Sequence, residues 1–218
     1  MKLEKAPVLN LFRLEIDPKN HENYTQKVEE YMLNADHALF MQSGHEDQKE
    51  YKNYLIESYQ DDAAYQQHED TSQVQQFEHN LKDIVTSQVK VELYPEFIST
   101  KPENLAVTHD NDYVVYLTEI GVQLGKGDEF ANAVMKEMKT AVEKEDGILA
   151  MIAGTIMNQP NEWFSLEVYR TEEAYEEHLK TKHFKKYLEA TKYSVESKGL
   201  HLLKPDCIVD QGEIFYRP

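Results

Sequence analysis

Displaced by 110 residues (178 − 68), the chain falls into register with its own second half, and this constrains the fold more than any other feature. Ser58-Tyr59-Gln60-Asp61-Asp62-Ala63-Ala64-Tyr65-Gln66-Gln67-His68 falls on Val168-Tyr169-Arg170-Thr171-Glu172-Glu173-Ala174-Tyr175-Glu176-Glu177-His178, and Tyr, Ala, Tyr and His coincide. The same displacement pairs Asp36 with Asp146, Leu39 with Leu149, Gly44 with Gly154, Glu57 with Glu167, Thr71 with Thr181, Leu93 with Leu203 and Ile98 with Ile208, without a gap. Before Asp36 the displacement shortens, because Phe12-Arg13-Leu14-Glu15-Ile16 matches Tyr116-Leu117-Thr118-Glu119-Ile120; the first helical region is longer in the second half. A period this long lies far above the roughly 20–50 residues of solenoid repeats. It predicts two divergent copies of one domain, residues 1–99 and 113–218, joined by a linker at 100–112 where Lys101-Pro102-Glu103-Asn104 supplies turn chemistry.

Each half repeats one order of elements. Val8 to Ile16 and Tyr113 to Val122 alternate as strands. Asn23 to Asn34 and Asp128 to Lys144 carry helical spacing, as in Phe130, Val134, Met138 and Val142. Leu39 to Ser43 and Ile148 to Met157 read as second strands. Asn158-Gln159-Pro160-Asn161 predicts a hairpin turn before Trp163 to Tyr169, and the polar run Gly44 to Asn53 predicts its counterpart before Tyr54 to Tyr59. A helix is expected after Asp61 and after Thr171, both suitable N-caps, and a last strand at Val89 to Ile98 and Gly199 to Val209. The order β-α-β-β-α-β is the ferredoxin-like split unit, of α+β class. Each unit leaves one sheet face uncovered, and the other copy is its natural partner. The expectation is a sheet-on-sheet, barrel-like pseudo-dimer within one chain, with a homodimer of the whole chain a further option.

Charge narrows the partners. The 40 acidic and 23 basic side chains give a formal net charge of −17, which disfavours nucleic acid and anionic membrane surfaces, since both need a basic face. The longest apolar stretch, Gly147 to Met157, is too short to span a bilayer. Cys207 is the only cysteine, so neither an internal disulfide nor a cysteine metal cluster can form, and a cytoplasmic protein without a signal peptide is expected. Glycines at 121, 125 and 127 precede a helix in neither a dinucleotide nor a P-loop pattern, which disfavours a nucleotide cofactor. No serine nucleophile elbow is present, and Cys207 in a late strand reads as a small buried hydrophobe.

The run Glu167-Val168-Tyr169-Arg170-Thr171-Glu172-Glu173-Ala174-Tyr175-Glu176-Glu177-His178-Leu179-Lys180-Thr181-Lys182-His183-Phe184, with Asp146-Gly147 before it and Leu203-Lys204-Pro205 after it, resembles the antibiotic biosynthesis monooxygenase family. The resemblance spans 113–209 well and 8–98 more weakly. It implies a dimeric α/β-barrel and a cofactor-independent monooxygenase acting on a quinol or other electron-rich dihydroxyaromatic, with a small aromatic molecule and O2 as partners and neither metal nor flavin. Some relatives of this fold degrade haem with a histidine ten residues beyond the position of His178. Leu188 stands there, and Glu78 in the first half, which disfavours haem. A non-catalytic ligand-binding or stress-associated protein of the same fold is the alternative.

A phenol with a pKa near 10 must lose its proton before it gives an electron to oxygen, and histidine suits that abstraction near neutral pH. His178 and His183 are therefore the candidate bases, with Glu167 as an orienting carboxylate and Trp163, Tyr169, Tyr116 and Phe184 as pocket walls. The five-residue step from His178 to His183 does not match the helical spacing that pairs two metal ligands, and no metal is expected there. The first half keeps His68 but has Gln73 and Val74 where the second has His183 and Phe184, so the pocket is expected in the second half.

Overall fold

A computed structural model describes residues 1–46 and 49–218, the side chain of Glu50 excepted. The first half runs β1 (Val8–Ile16), α1 (His21–Leu33), β2 (Ala38–Glu46), β3 (Lys49–Tyr59), α2 (Asp62–Glu69), α3 (Ser72–Leu81) and β4 (Val85–Thr100). After β5 (Leu105–Val107), the second half runs β6 (Val114–Val122), α4 (Gly127–Lys144), β7 (Ile148–Ile156), β8 (Gln159–Tyr169), α5 (Glu172–Lys180), α6 (Lys182–Thr191), β9 (Val195–Asp210) and β10 (Phe215–Tyr216).

The expected second helix of each half is two helices, for a local reason. Thr71 and Thr181 sit in extended backbone, and each hydroxyl donates to the carbonyl of the preceding histidine, His68 or His178, at 2.8 Å. The same oxygens accept from Val74 N and Phe184 N at 3.2 Å, so one side chain closes a helix and caps the next. Asp61 and Thr171 cap α2 and α5 as expected. The second-half hairpin reverses earlier than expected, at Met157 and Asn158, where Asn158 takes the left-handed conformation (φ 66°) that asparagine tolerates; Pro160 lies at the exposed start of β8. The matching Gly44 to Asn53 run contains Asp47 and Gln48, which lie outside the described residues.

Strand pairing follows the closed circuit β1-β3-β2-β9-β6-β8-β7-β4 and back to β1. Closure depends on β4 and β9, 16 residues each. The first part of β4 pairs with β1 of its own half and the remainder, from Leu93, pairs with β7; β9 pairs with β6 and then, from Leu203, with β2. The two sheets are thus joined at their edges into one antiparallel eight-stranded barrel rather than laid face to face, because each last strand overhangs its own sheet and supplies the edge the other lacks. β5 lies within the segment expected as a linker and adds to the end of β9, as β10 adds to the end of β4.

Three cores result. Leu9, Leu11, Ile56, Leu117, Ile152 and Leu166 fill the barrel. Tyr24, Val28 and Met32 of α1 pack on Leu55 and Tyr59 outside it, and Phe130, Val134 and Met138 of α4 pack on Met151 and Trp163. Each helix layer roofs one half, and the space under it is where a ligand could sit. No helix among the described residues is long and apolar enough to cross a membrane.

Candidate functional site

Under the first-half helices lies a cavity of about 490 Å³, within the roughly 300–1,000 Å³ range of small-molecule sites. Its apolar walls come from Phe12 and Leu14 of β1, Leu55 of β3, and Val74, Phe77 and Leu81 of α3. Polar side chains line the rest, among them Glu57, Glu69, Tyr31, Tyr65 and Lys90. Alternation along β3 turns Leu55, Glu57 and Tyr59 to the same helix-facing side, which puts a carboxylate in a mainly apolar layer.

Glu57 is 1% exposed. Its carboxylate accepts from Asn10 Nδ2 at 3.1 Å and from Tyr59 Oη at 3.0 Å. Burial nevertheless dominates and pushes Glu57 up to about 7, the region where a carboxylate both holds and releases a proton near neutrality. Beside it Tyr31 Oη lies 2.6 Å from His68 Nε2. Burial pulls His68 down to about 4 and drives Tyr31 well above the ordinary phenol value, so both are neutral at pH 7. Phe77 stacks on Tyr31 with ring centroids 4.0 Å apart, which fixes the phenol against the cavity wall. Lys90 donates to Tyr65 Oη at 2.7 Å and lies 4.6 Å from that ring's centroid.

The second half places its equivalent groups differently. His178 and His183, with Glu137 of α4 and Glu145 at its C-cap, make a chain of contacts: His178 Nδ1 to Glu145 at 3.0 Å, Glu145 to His183 Nε2 at 3.1 Å, and His183 Nδ1 to Glu137 at 3.2 Å, with His178 Nε2 3.6 Å from Glu137. Burial, then the nearby Glu167 and Glu145, pushes Glu137 up to about 9, and burial lowers both histidines. Burial thus favours the proton on Glu137 and the neutral form of both histidines, and it raises Glu145 as well. Glu167 accepts from Tyr169 Oη at 2.7 Å, and the rings of Tyr169 and Phe184 lie 5.7 and 4.7 Å from that of His178. Tyr116 stacks on Tyr175 at 3.8 Å, and Trp163 meets Phe130 edge-on at 5.0 Å within the helix–sheet core.

The structure thus gathers His178, His183, Glu167, Tyr169 and Phe184, and leaves Trp163 and Tyr116 in neighbouring packing. The space beside Glu137, Glu167 and Phe184 is about 20 Å³, room for about one water. Phe184 holds the place of Val74, and its larger ring fills volume that is open in the first half. The large cavity therefore lies in the half opposite to the one that the sequence favours.

Sequence reasoning did not find Glu137, Glu145 or Tyr31. The signal was present for Glu137, which stands on the apolar stripe of α4 between Val134 and Ala141, where a solvent-facing acid is not expected. The buried positions Tyr24, Val28, Tyr31, Met32 and Ala35 recur 106 residues on (130 − 24) as Phe130, Val134, Glu137, Met138 and Ala141, so Tyr31 and Glu137 occupy equivalent stations.

A closed antiparallel barrel roofed by helices, with a cavity under one roof, defines a class of small-ligand α/β barrels. The family model for antibiotic biosynthesis monooxygenases matches residues 113–190. The crystal structure of a "putative monooxygenase" from Lactobacillus acidophilus NCFM is 31% identical over 97% of this chain and 100% of that one, with a TM-score of 0.91. A second protein so described, from Fusobacterium nucleatum subsp. nucleatum ATCC 25586, is 22% identical over 99% of this chain and 100% of its own, with a TM-score of 0.89. An anthrone oxidase-like protein shares the fold at 11% identity, over 96% and 95% of the two chains, with a TM-score of 0.63. A search of curated proteins finds no match. The chain belongs to the antibiotic biosynthesis monooxygenase family, and its fold is monooxygenase-like over the full length.

Proposed function

We propose that this protein is a cofactor-independent monooxygenase for a quinol or a related electron-rich dihydroxyaromatic, built as a tandem duplication whose first copy, residues 1–99, carries the working site. The observation that supports this most is a cavity of aromatic-ring size holding one buried carboxylate, Glu57, poised near neutrality.

Glu57 takes a phenolic proton from the bound substrate. The aryloxide is far more easily oxidised than the phenol, and it passes an electron to O2 within the apolar walls. Recombination at the ring and loss of water leave one oxygen atom on the product, a hydroxyquinone, and one in water. The ring supplies all four electrons. Tyr31, held neutral against His68, donates to a developing oxyanion, and the Phe12 and Phe77 rings hold the substrate flat. In this reading the second copy, with His178, His183 and Glu167, is a closed counterpart that braces the barrel.

Oxygen uptake with a panel of hydroquinones and naphthoquinols tests the reading. Uptake is expected to rise with pH through about 7, as Glu57 becomes a base. Glu57→Gln is expected to lower kcat/KM by roughly 10²-fold or more and to erase that limb, while Glu167→Gln leaves both nearly unchanged. Binding of quinols without oxygen uptake would overturn the enzyme and leave a ligand-binding protein; equal losses in both variants would overturn the choice of half.

A further inference from the structure

Away from both helix-roofed spaces, three residues distant in sequence meet at the seam between the halves. His21 opens α1, His45 lies near the end of β2, and Asp206 lies on β9; one ligand atom from each falls within 4.8 Å of the others. None of the three lines the first-half cavity. The rings of His21 and His45 meet edge-on at 4.2 Å, and His45 Nδ1 lies 2.8 Å from Asp206 Oδ1.

The backbone is built to present Asp206. Between β2 and β9, Ser43 pairs with Cys207 and Gly44 with Pro205, so Asp206 is an extra residue in a β-bulge. Cys207 packs into the helix-side core, and simple alternation would send its neighbour into the barrel. The bulge turns Asp206 toward His45 instead, a recurring use of bulges. Gly44 makes this possible, because a Cβ there would meet Lys204 O at 2.8 Å.

Asp206 is 2% exposed, no lysine or arginine pairs with it among the described residues, and its Oδ2 has no hydrogen-bond partner. A buried carboxylate with one oxygen unserved is costly unless a cation compensates it. Two imidazoles and a carboxylate are the donor set that suits divalent zinc, cobalt or iron, with the remaining coordination positions left open. The matching bulge in the other half gives an internal contrast. There Pro95 pairs with Gly154 and Phe97 with Ala153, which leaves Glu96 as the extra residue, but Thr155 stands for His45 and Gly127 for His21. An acid at a bulge is thus common to both halves, and two histidines meet it only in one.

We propose that His21, His45 and Asp206 bind one divalent first-row transition-metal ion. Metal bonds of about 2.0–2.2 Å require the three side chains to draw together, and His21, at the first residue of a helix and partly exposed, has the freedom to move and marks the side from which an ion enters. The site needs no substrate, so its test is separate from that of the quinol reaction.

Tag-free full-length protein, stripped with chelator, would be titrated with Co2+ and followed by visible d–d absorption, then with Zn2+ in competition. One equivalent of Co2+ is expected, displaced by Zn2+. His21→Ala and Asp206→Asn are expected to weaken binding by at least the roughly 10–100-fold that loss of an outer-sphere partner costs, and Glu96→Gln to leave it unchanged. Circular dichroism establishes that each variant is folded; should Asp206→Asn fail to fold, the partly exposed His21→Ala decides. No one-equivalent uptake by the unaltered protein, or equal uptake by His21→Ala, overturns the site.

Discussion

The two halves share strand order, the threonine cap at Thr71 and Thr181 and the Glu-x-Tyr step on their third strands, yet the space beside Glu57 is about 490 Å³ and that beside Glu167 about 20 Å³, with a separate space of about 100 Å³ between α4 and α6. Two substitutions at equivalent stations carry much of the contrast. Val74 against Phe184 decides whether the space under the roof is open. Tyr31 against Glu137 decides what stands beside the buried histidine: a phenol bound to His68 on one side, and on the other an acid that contacts His183, which in turn meets Glu145. The two halves thus keep a common frame, because frame residues are fixed by strand pairing and capping, and differ in the layer between helix and sheet, where side-chain volumes differ around one closed barrel.

The comparison can be broken most directly by exchanging volumes. Val74→Phe should fill part of the first cavity and abolish quinol binding in equilibrium titration, with little change in stability, because the ring enters open space. Phe184→Val should open space in the second half without creating turnover there, since His183 remains held by Glu137 and His178 by Glu145. Turnover in Phe184→Val/Glu57→Gln would show instead that volume alone separates the copies.

The buried acid Glu137 gives a second, smaller contrast in pH dependence. Glu137 is held above its unfolded value, so its contribution to stability is complete below about 4.5 and is lost as pH rises through about 9. The unfolding free energy of the unaltered protein, from urea titration, should fall over that window by up to about 1.4 kcal/mol per pH unit, and Glu137→Gln should flatten the slope. His68 runs the other way: held down to about 4, it contributes fully above about 6.5, and that contribution is lost as pH falls through about 4. His68→Gln should therefore protect the protein on the acid side while Glu137→Gln protects it on the alkaline side.

The smallest effects test what the halves have in common. Thr71→Ala and Thr181→Ala each remove a cap and a helix stop, and each should cost about 1 kcal/mol in thermal or urea unfolding. Nearly equal losses would sharpen the view that the frame is shared; a loss confined to one half would break it.

Much of the frame was legible in the chain. The displacement by 110 residues located the strands, and Asp61 and Thr171 marked helix starts, because pairing period and capping are short-range and leave a local trace. The break at Thr71 and Thr181 was readable only in part, since a threonine between helical runs suits either a continuous helix or a cap. The site was less legible. Histidines drew attention through their ordinary pKa, but burial, which no single stretch of sequence reports, moves His68 out of the neutral range and brings Glu57 into it. Val74 and Phe184 were visible as a difference; that the smaller residue leaves the cavity depends on what packs around it.

By itself the sequence determined the internal register between its halves, the order of its strands along the chain, its family resemblance and a net charge of −17. Tertiary structure alone decided that the last strands cross over to close one barrel, that the first half holds the cavity, and that His21, His45 and Asp206 meet. The reason is physical: periodicity and capping are properties of neighbouring residues, whereas volume, desolvation and the meeting of residues far apart in the chain arise only when distant segments pack.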